Sequence, residues 1–334
     1  MKSGLPTISI ITPTYNQGHF IEQTINSVLD QNYPNLQYLI IDGGSTDDTV
    51  NIIRKYEKYI SYWVSEKDKG QSEAINKGFT RATGEVVNWL NSDDYYEPGV
   101  LSKVGEAFRD ENVNVVCGRS RVFGHGDTYV SNGTDLYPEN IFKTIGWARI
   151  DQPETFFRYS TLKDIGFVNE GLHFIMDKEM WIRYLLKFGL TNVVKLPGVF
   201  ANYRLHGNSK TVSLQKGFEE ETRNLYYTIA KRFCPETFSG FFEQNFGAQL
   251  LPLEGYDQLL NKEDAYHIVN YYLLEQALME YAKDNYPAAK NLIAQINIDA
   301  LKAPEQKELH TVLKRMKIPL IVKRLFHSIK SKGK

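Results

Sequence analysis

The stretch Val86-Val87-Asn88-Trp89-Leu90-Asn91-Ser92-Asp93-Asp94 opens as an apolar run suited to a buried strand and ends in adjacent carboxylates, with Tyr95-Tyr96-Glu97-Pro98-Gly99 following as turn material. Ligands of open α/β sheets bind beyond the carboxyl ends of the strands, so acids placed there can hold a divalent cation on a phosphate. An isolated Asp-Asp is more often a solvated turn, because turns favour Asp. Two other strand-end loops shift that balance: Pro13-Thr14-Tyr15-Asn16, and Asp42 with Gly43-Gly44-Ser45. If the strands before them are parallel neighbours, the three loops converge on one crevice. An aromatic ring, an acceptor carboxylate and a carboxylate pair are the pieces needed to stack a base, accept from its N–H or a ribose hydroxyl, and neutralise a diphosphate. The pattern predicts a nucleotide-diphosphate pocket. Mg2+ or Mn2+ is the expected ion, since the available ligands are oxygens apart from one candidate histidine.

Each loop needs a strand to carry it and a helix to return the chain. Residues 8–12 are β-branched and apolar and predict a strand stopped by Pro13. Phe20, Ile21, Ile25, Val28 and Leu29 then recur at helical spacing. Residues 36–41 predict a second strand, and the Ser/Thr/Asp cluster after Asp42 offers caps for a helix through Val50, Ile52, Ile53 and Tyr56. A short strand at 62–64, a polar loop holding Asp68 and Lys69, and a helix from about 72 to 82 lead back to the acidic stretch. This alternation implies an α/β fold with a mostly parallel sheet flanked by helices. No GxGxxG follows the first strand, so the dinucleotide-binding fingerprint is missing. Beyond this half the pattern predicts a helix at 101–108, a strand at 113–117, turns through 118–149, a short strand ending at Phe157, a helix capped by Asp177, and two strands at 193–196 and 199–204.

Helical spacing dominates after about residue 213. Ala277, Tyr281, Tyr286, Ala288 and Ala289 form a pattern similar to one helix pair of a TPR-like repeat, though a single copy does not establish an array. The expected organisation is an α/β domain at 1–212, a helical C-terminal region at 213–312 and a basic amphipathic tail at 313–334. That tail has no acid and alternates Lys and Arg with apolar residues, so it can lie on an anionic membrane surface or form a solvated C-terminal helix. Across all 334 residues, 39 Lys and Arg nearly cancel 40 Asp and Glu, which gives no argument for a nucleic-acid partner. Cys117 and Cys234 lack metal-ligand spacing and read as buried thiols in a reducing compartment. Residues 1–6 have no apolar leader core, and no segment reaches roughly 18 consecutive apolar residues. A cytoplasmic protein, or one peripheral on the cytosolic face of a membrane, is therefore expected.

Taken in order and spacing, Ile8-Ser9-Ile10-Ile11-Thr12-Pro13-Thr14-Tyr15-Asn16, Ile41-Asp42-Gly43-Gly44-Ser45-Thr46-Asp47 and Leu90-Asn91-Ser92-Asp93-Asp94 resemble family 2 glycosyltransferases of the GT-A fold. Met176-Asp177-Lys178-Glu179-Met180-Trp181-Ile182-Arg183 resembles that family's catalytic acid and its Trp-containing helix. The resemblance implies metal-dependent, inverting transfer of a sugar from a nucleotide-diphosphate sugar, UDP-sugars favoured, to a saccharide or lipid-linked saccharide acceptor in cell-surface polysaccharide or glycolipid assembly. On the matching positions, Tyr15 would stack on the base, Pro13 would line its pocket and Asp42 would accept from the base N–H. Asp93 would contact ribose or metal, Asp94 would bind the ion directly, the ion would act as a Lewis acid on the leaving diphosphate, and Asp177 would be the general base.

Two positions depart from the family pattern. Asn91 stands where many relatives carry Asp, which moves the ribose contact toward Asp93. Met176 stands where a Glu often precedes the catalytic acid, which leaves Glu179 to orient acceptor or base. His206 lies in a loop that in relatives closes over the diphosphate, and is expected on metal or phosphate. Asp68 is expected near the donor, and Trp147 and Gln152 beside Glu179 on the acceptor side. The alternatives are a transferase using a lipid-phosphate donor and a non-catalytic nucleotide-sugar-binding protein. A nucleotidyltransferase is disfavoured because Thr14-Tyr15-Asn16-Gln17 is not a glycine-rich triphosphate loop.

Overall fold

The computed structural model describes residues 4–207 and 209–317, so most of the expected basic tail lies outside the described residues. These residues fall into two compact units: residues to Leu136 with Ala148–Thr222, and Tyr137–Trp147 with the residues from Arg223 onward. In the first unit β1 (Ile8–Thr14), α1 (Ile21–Leu29), β2 (Leu36–Asp42), α2 (Thr49–Lys55), β3 (Tyr62–Ser65), α3 (Gln71–Arg81) and β4 (Val86–Trp89) alternate as expected. β5 (Tyr95–Tyr96), α4 (Val100–Ala107), β6 (Val115–Gly124) and β7 (Tyr129–Val130) follow. After α5 (Ile141–Trp147), which belongs to the second unit, come β8 (Thr155–Arg158), α6 (Tyr159–Ile165), α7 (Met176–Phe188), β9 (Val193–Leu205), α8 (Lys210–Ser213) and α9 (Gln215–Phe233).

The strand order is β3-β2-β1-β4-β8-β6-β9-β5, with β7 paired to β6. β1 to β4 are parallel, as read from the sequence, while β8 runs antiparallel to both β4 and β6, which makes the whole sheet mixed. Ile8 and Ile10 of β1 join Ile21, Ile25 and Val28 of α1 in the core. The opposite face is closed by α3, where Gly78 is required because a Cβ there would stand 2.3 Å from Ile11 Cγ2. β1 continues through Pro13, contrary to expectation. The side of Pro13 that lacks an N–H faces β4, whose pairing with β1 ends at Trp89, so no ladder bond is lost.

Two further expectations are corrected. β6 runs on to Gly124 through residues expected as turns, because β9 supplies a partner from Arg119↔Val199 to Gly124↔Leu205. The two strands expected at 193–196 and 199–204 are one strand, interrupted by a register shift near Pro197-Gly198 rather than ended by it.

The second unit is helical. α10 (Pro235–Phe246), α11 (Tyr256–Leu259), α12 (Lys262–Ala282), α13 (Tyr286–Ile293) and α14 (Ala303–Met316) complete it with α5 and the later part of α9. α5 lies inside the span expected for the α/β domain, yet it groups with these helices. Asn140 Nδ2 donates to Tyr271 Oη at 2.8 Å, and Gly146 approaches so closely that a Cβ would meet Tyr271 Cβ at 2.6 Å. Tyr281 stacks on Tyr286 across the α12–α13 turn, ring centroids 5.6 Å apart. Among the described residues no helix is long and apolar enough to cross a membrane.

Candidate active site

The parallel register puts Thr14 opposite Asp42, Asp42 opposite Ser65 and Ile11 opposite Trp89, so the loops after β1, β2, β3 and β4 open on one edge of the sheet. There they border a cavity of about 800 Å³, a volume suited to a ligand the size of a nucleotide sugar. Pro13 and Tyr15 line one end, and the Tyr15 side chain is 59% exposed. Its loop is fixed by neighbours: Asn16 N donates to Ser45 Oγ at 2.7 Å, and Asn16 Oδ1 accepts from Thr46 N at 2.9 Å. Asn16 adopts φ 51°, a left-handed conformation that Asn tolerates better than most residues.

Asp42, expected to meet a base N–H, does not line the cavity. Its Oδ2 accepts from Gly44 N at 3.2 Å, Ser45 N at 2.9 Å and Ser65 Oγ at 2.6 Å, while Oδ1 accepts from Ser45 Oγ, and the residue is fully buried. Asp42 holds the loop together, and Asp68 presents a carboxylate to the cavity at this end. Gly43 makes room for it, since a Cβ there would lie 2.9 Å from Asp68 Oδ2. Burial raises the Asp68 carboxyl above its usual range, partly offset by the Gly70 N–H on Oδ1 at 2.9 Å.

The adjacent acids also separate. Asp93 lines the cavity, and its Oδ2 lies 3.0 Å from His206 Nε2. Asp94, expected as the direct ion ligand, is 1% exposed and does not line the cavity; its Oδ1 accepts from Arg204 N at 2.8 Å. Burial, with the neighbouring Asp93 charge second, holds the Asp94 carboxyl well above the ordinary range. The groups that could hold a divalent cation here are Asp93, which lines the cavity, and His206, which does not line it but brings an imidazole nitrogen against the Asp93 carboxylate. Among the described residues no group of three His, Cys, Asp or Glu forms a closed cage, so the remaining ligands would be phosphate oxygens and water, the usual habit of Mg2+. Asn91 Oδ1 accepts from Gln71 Nε2 at 2.8 Å, and Gln71 Oε1 accepts from Lys210 Nζ at 3.0 Å. Gln71 and Lys210 line the cavity and were not read from the sequence, where neither sits in a recognisable motif.

Asp177 lines the opposite side. It is the second residue of α7, with Ile175 at the N-cap, so it is not the cap the sequence suggested. Burial pushes its carboxyl up to about 6 against the pull of the Lys178 N–H, which donates to Oδ1 at 2.8 Å. Glu179, expected on the acceptor side, does not line the cavity: it is 1% exposed and paired through both oxygens with Arg183 Nε and Nη2, each at 2.8 Å. Trp147 lies in the helical unit, with its indole N–H on Tyr271 O at 3.1 Å. Gln152 does border the cavity, but its Nε2 is spent on Asn88 Oδ1 at 2.9 Å and Trp89 O at 2.6 Å. The side chains that this wall offers are Tyr129, Ser131, Arg149 and Asp151. Ser131 Oγ donates to Asp151 Oδ2 at 2.5 Å, and Arg149 Nε reaches Asp151 Oδ1 at 3.4 Å.

Residues 9–171 match the model of glycosyl transferase family 2. TuaG of Bacillus subtilis, named as a teichuronic acid biosynthesis glycosyltransferase, is 41% identical over 106 residues, which is 31% of this chain and 42% of TuaG. The match thus spans less than half the length of that relative. An uncharacterized glycosyltransferase of Nostoc sp. is 26% identical over 225 residues, 64% of this chain and 69% of its own. S. aureus TarS 1-349, solved in complex with UDP-GlcNAc, shares the fold with a TM-score of 0.57 at 19% identity, over 86% of this chain and 89% of that one. The matched residues carry the strands and loops that open on the cavity, and on these grounds residues 9–171 belong to glycosyltransferase family 2 and the chain has a GT-A fold.

Proposed function

We propose that the protein transfers a sugar from a nucleotide-diphosphate sugar, with UDP-sugars favoured, to a saccharide hydroxyl with inversion, in the assembly of a cell-surface polysaccharide or glycolipid. The observation that carries this reading is that one cavity is lined by an exposed aromatic ring, a carboxylate and a desolvated carboxylate, namely Tyr15, Asp93 and Asp177, with the His206 imidazole meeting Asp93 from outside the lining. The UDP-GlcNAc bound to TarS supports the donor class, and the name of TuaG supports the polymer setting.

In this reading the base stacks on Tyr15 and meets Asp68, and the diphosphate lies toward Asp93, His206 and Lys210. A bound Mg2+ or Mn2+, held by Asp93 and His206, would supply Lewis-acid neutralisation of the leaving diphosphate. Asp177 takes the proton of the acceptor hydroxyl on Oδ2, the oxygen not engaged by the Lys178 N–H. The acceptor oxygen forms its bond to the anomeric carbon as the bond to the diphosphate oxygen breaks, and that electron pair leaves with the nucleoside diphosphate. The acceptor side falls to Tyr129, Ser131, Arg149 and Asp151, an aromatic platform beside hydroxyl, guanidinium and carboxylate groups that suit a sugar ring and its hydroxyls. The basic segment after α14 is proposed to seat the protein on an anionic membrane; deletion of 318–334 should weaken binding to phosphatidylglycerol vesicles, and unchanged binding would contradict this.

The test is release of free nucleotide from UDP-, GDP-, CDP- and dTDP-sugars in the presence of Mn2+. Consumption of a UDP-sugar that drops to background in Asp177→Asn is expected. Consumption of none of the sugars, or turnover indifferent to Asp177→Asn, would overturn the reading.

A further inference from the structure

The loop that delivers Asp177 into the cavity has no local cap, since Ile175 stands at the N-cap of α7 without an accepting side chain. Its backbone is held from a distant helix. Glu221 of α9 accepts three successive N–H groups: His173 on Oε1 at 2.9 Å, and Phe174 at 2.8 Å and Ile175 at 2.9 Å on Oε2. One turn earlier on α9, Phe218 packs against Phe174 with ring centroids 5.2 Å apart, and Gly217 lies so close that a Cβ would stand 2.5 Å from that ring. Residues 217, 218 and 221 share a helix face by their spacing. From the other side Lys210 Nζ donates to His173 O at 3.1 Å. Glu221 itself does not line the cavity. Charge-assisted bonds to a carboxylate are about twice as strong as neutral ones, and a negative charge at the start of α7 complements the helix dipole.

We propose that Glu221 is a positioning residue for catalysis, a clamp through which α9 fixes the 173–175 loop and thereby the placement of Asp177. The proposal rests on the transfer reading above and adds a residue that works without touching substrate. Misplacing a reacting group by about 1 Å is enough to reduce a rate about 100-fold. Glu221→Gln keeps the shape of the side chain but leaves a single accepting oxygen for three donors.

UDP-sugar consumption by the full chain tests it. Glu221→Gln should lower kcat by about 30- to 100-fold while donor KM and UDP affinity stay within about twofold, and should displace the acid limb of the rate profile. Gly217→Ala, with Glu221 intact, presses on Phe174 and should give the same split, which guards against a Glu221→Gln protein that fails to fold. Wild-type kcat in both folded variants overturns the clamp and leaves the transfer reading standing. A rise in donor KM matching the fall in kcat makes Glu221 merely structural and also overturns it. No consumption by wild type removes the transfer reading and the clamp together.

Discussion

On the wall of the cavity proposed to face the nucleotide, Pro13, Tyr15 and Gly43 stand at or one residue past the ends of parallel strands, whereas the opposite wall is held largely by side chains. There Ser120 N donates to Ser131 Oγ at 3.2 Å, Asp151 N to Thr134 Oγ1 at 3.1 Å, and Lys195 Nζ to Asn132 O at 2.6 Å and Thr134 O at 2.8 Å. Gly133, at φ 73°, permits the bend, since a Cβ would stand 2.2 Å from Gly118 O. Beneath it, burial and the charge of Asp151 push the Glu154 carboxyl up to about 8, so it is mostly protonated at neutral pH. The contrast suggests a division of labour. In the proposed reading one wall seats the part of the donor that does not react, and the other is a network that faces the acceptor.

The largest effect that separates the walls belongs to Asp177. Asp177→Asn should lower kcat by about 10²–10⁴-fold. Its effect on stability has the opposite sign. Folding raises this carboxyl to about 6, so the folded state binds the proton more tightly than the unfolded chain, and stability falls as pH climbs from the unfolded value to about 6. Above that pH the full penalty applies. Asn removes it, so chemical denaturation at pH 7 should show a gain on the order of 1–3 kcal/mol, and none at pH 4.

Next comes the pair of adjacent acids. A nucleotide at about 100 times its dissociation constant stabilises a protein by roughly 2.7 kcal/mol. In thermal-shift measurements with UDP and Mn2+, Asp93→Ala should lose the metal-dependent part of that shift. Asp94→Asn, which keeps an acceptor for Arg204 N, should retain most of it. Tyr15→Ala should weaken UDP binding by about 1–2 kcal/mol, roughly tenfold, without lowering the stability of the free protein, because the ring is largely exposed. The smallest effect is on the other wall: Tyr129→Ala should leave UDP affinity untouched and raise acceptor KM by about 2- to 10-fold. If Tyr129→Ala instead weakens UDP binding, the division between the walls is wrong.

How far the sequence discloses this site follows the same contrast. The strands and helices to Trp89 are legible because each apolar run ends in a polar loop and each helix repeats its buried positions. Which acid of a loop faces the cavity is not legible. Asp42 is turned inward by Ser45 and Ser65, and Asp94 by the backbone of Arg204, more than a hundred residues away in sequence. Glu179 sits in a motif-like helix, yet its partner Arg183, one turn on, makes it a buried ion pair. Residues 118–149 read as turns because much of their order comes from pairing with β9 and from side-chain bonds, neither of which leaves a periodic trace. The bond of the Trp147 indole to Tyr271 O, 124 residues away, leaves no trace in the neighbouring sequence.

The most direct test of the account is calorimetric titration of UDP into the wild-type protein and Asp93→Ala, each with Mn2+ and with EDTA. The account predicts binding by wild type that depends on the metal and is lost or made metal-independent in Asp93→Ala. UDP binding that is equal in all four arms, or absent from all of them, would contradict it.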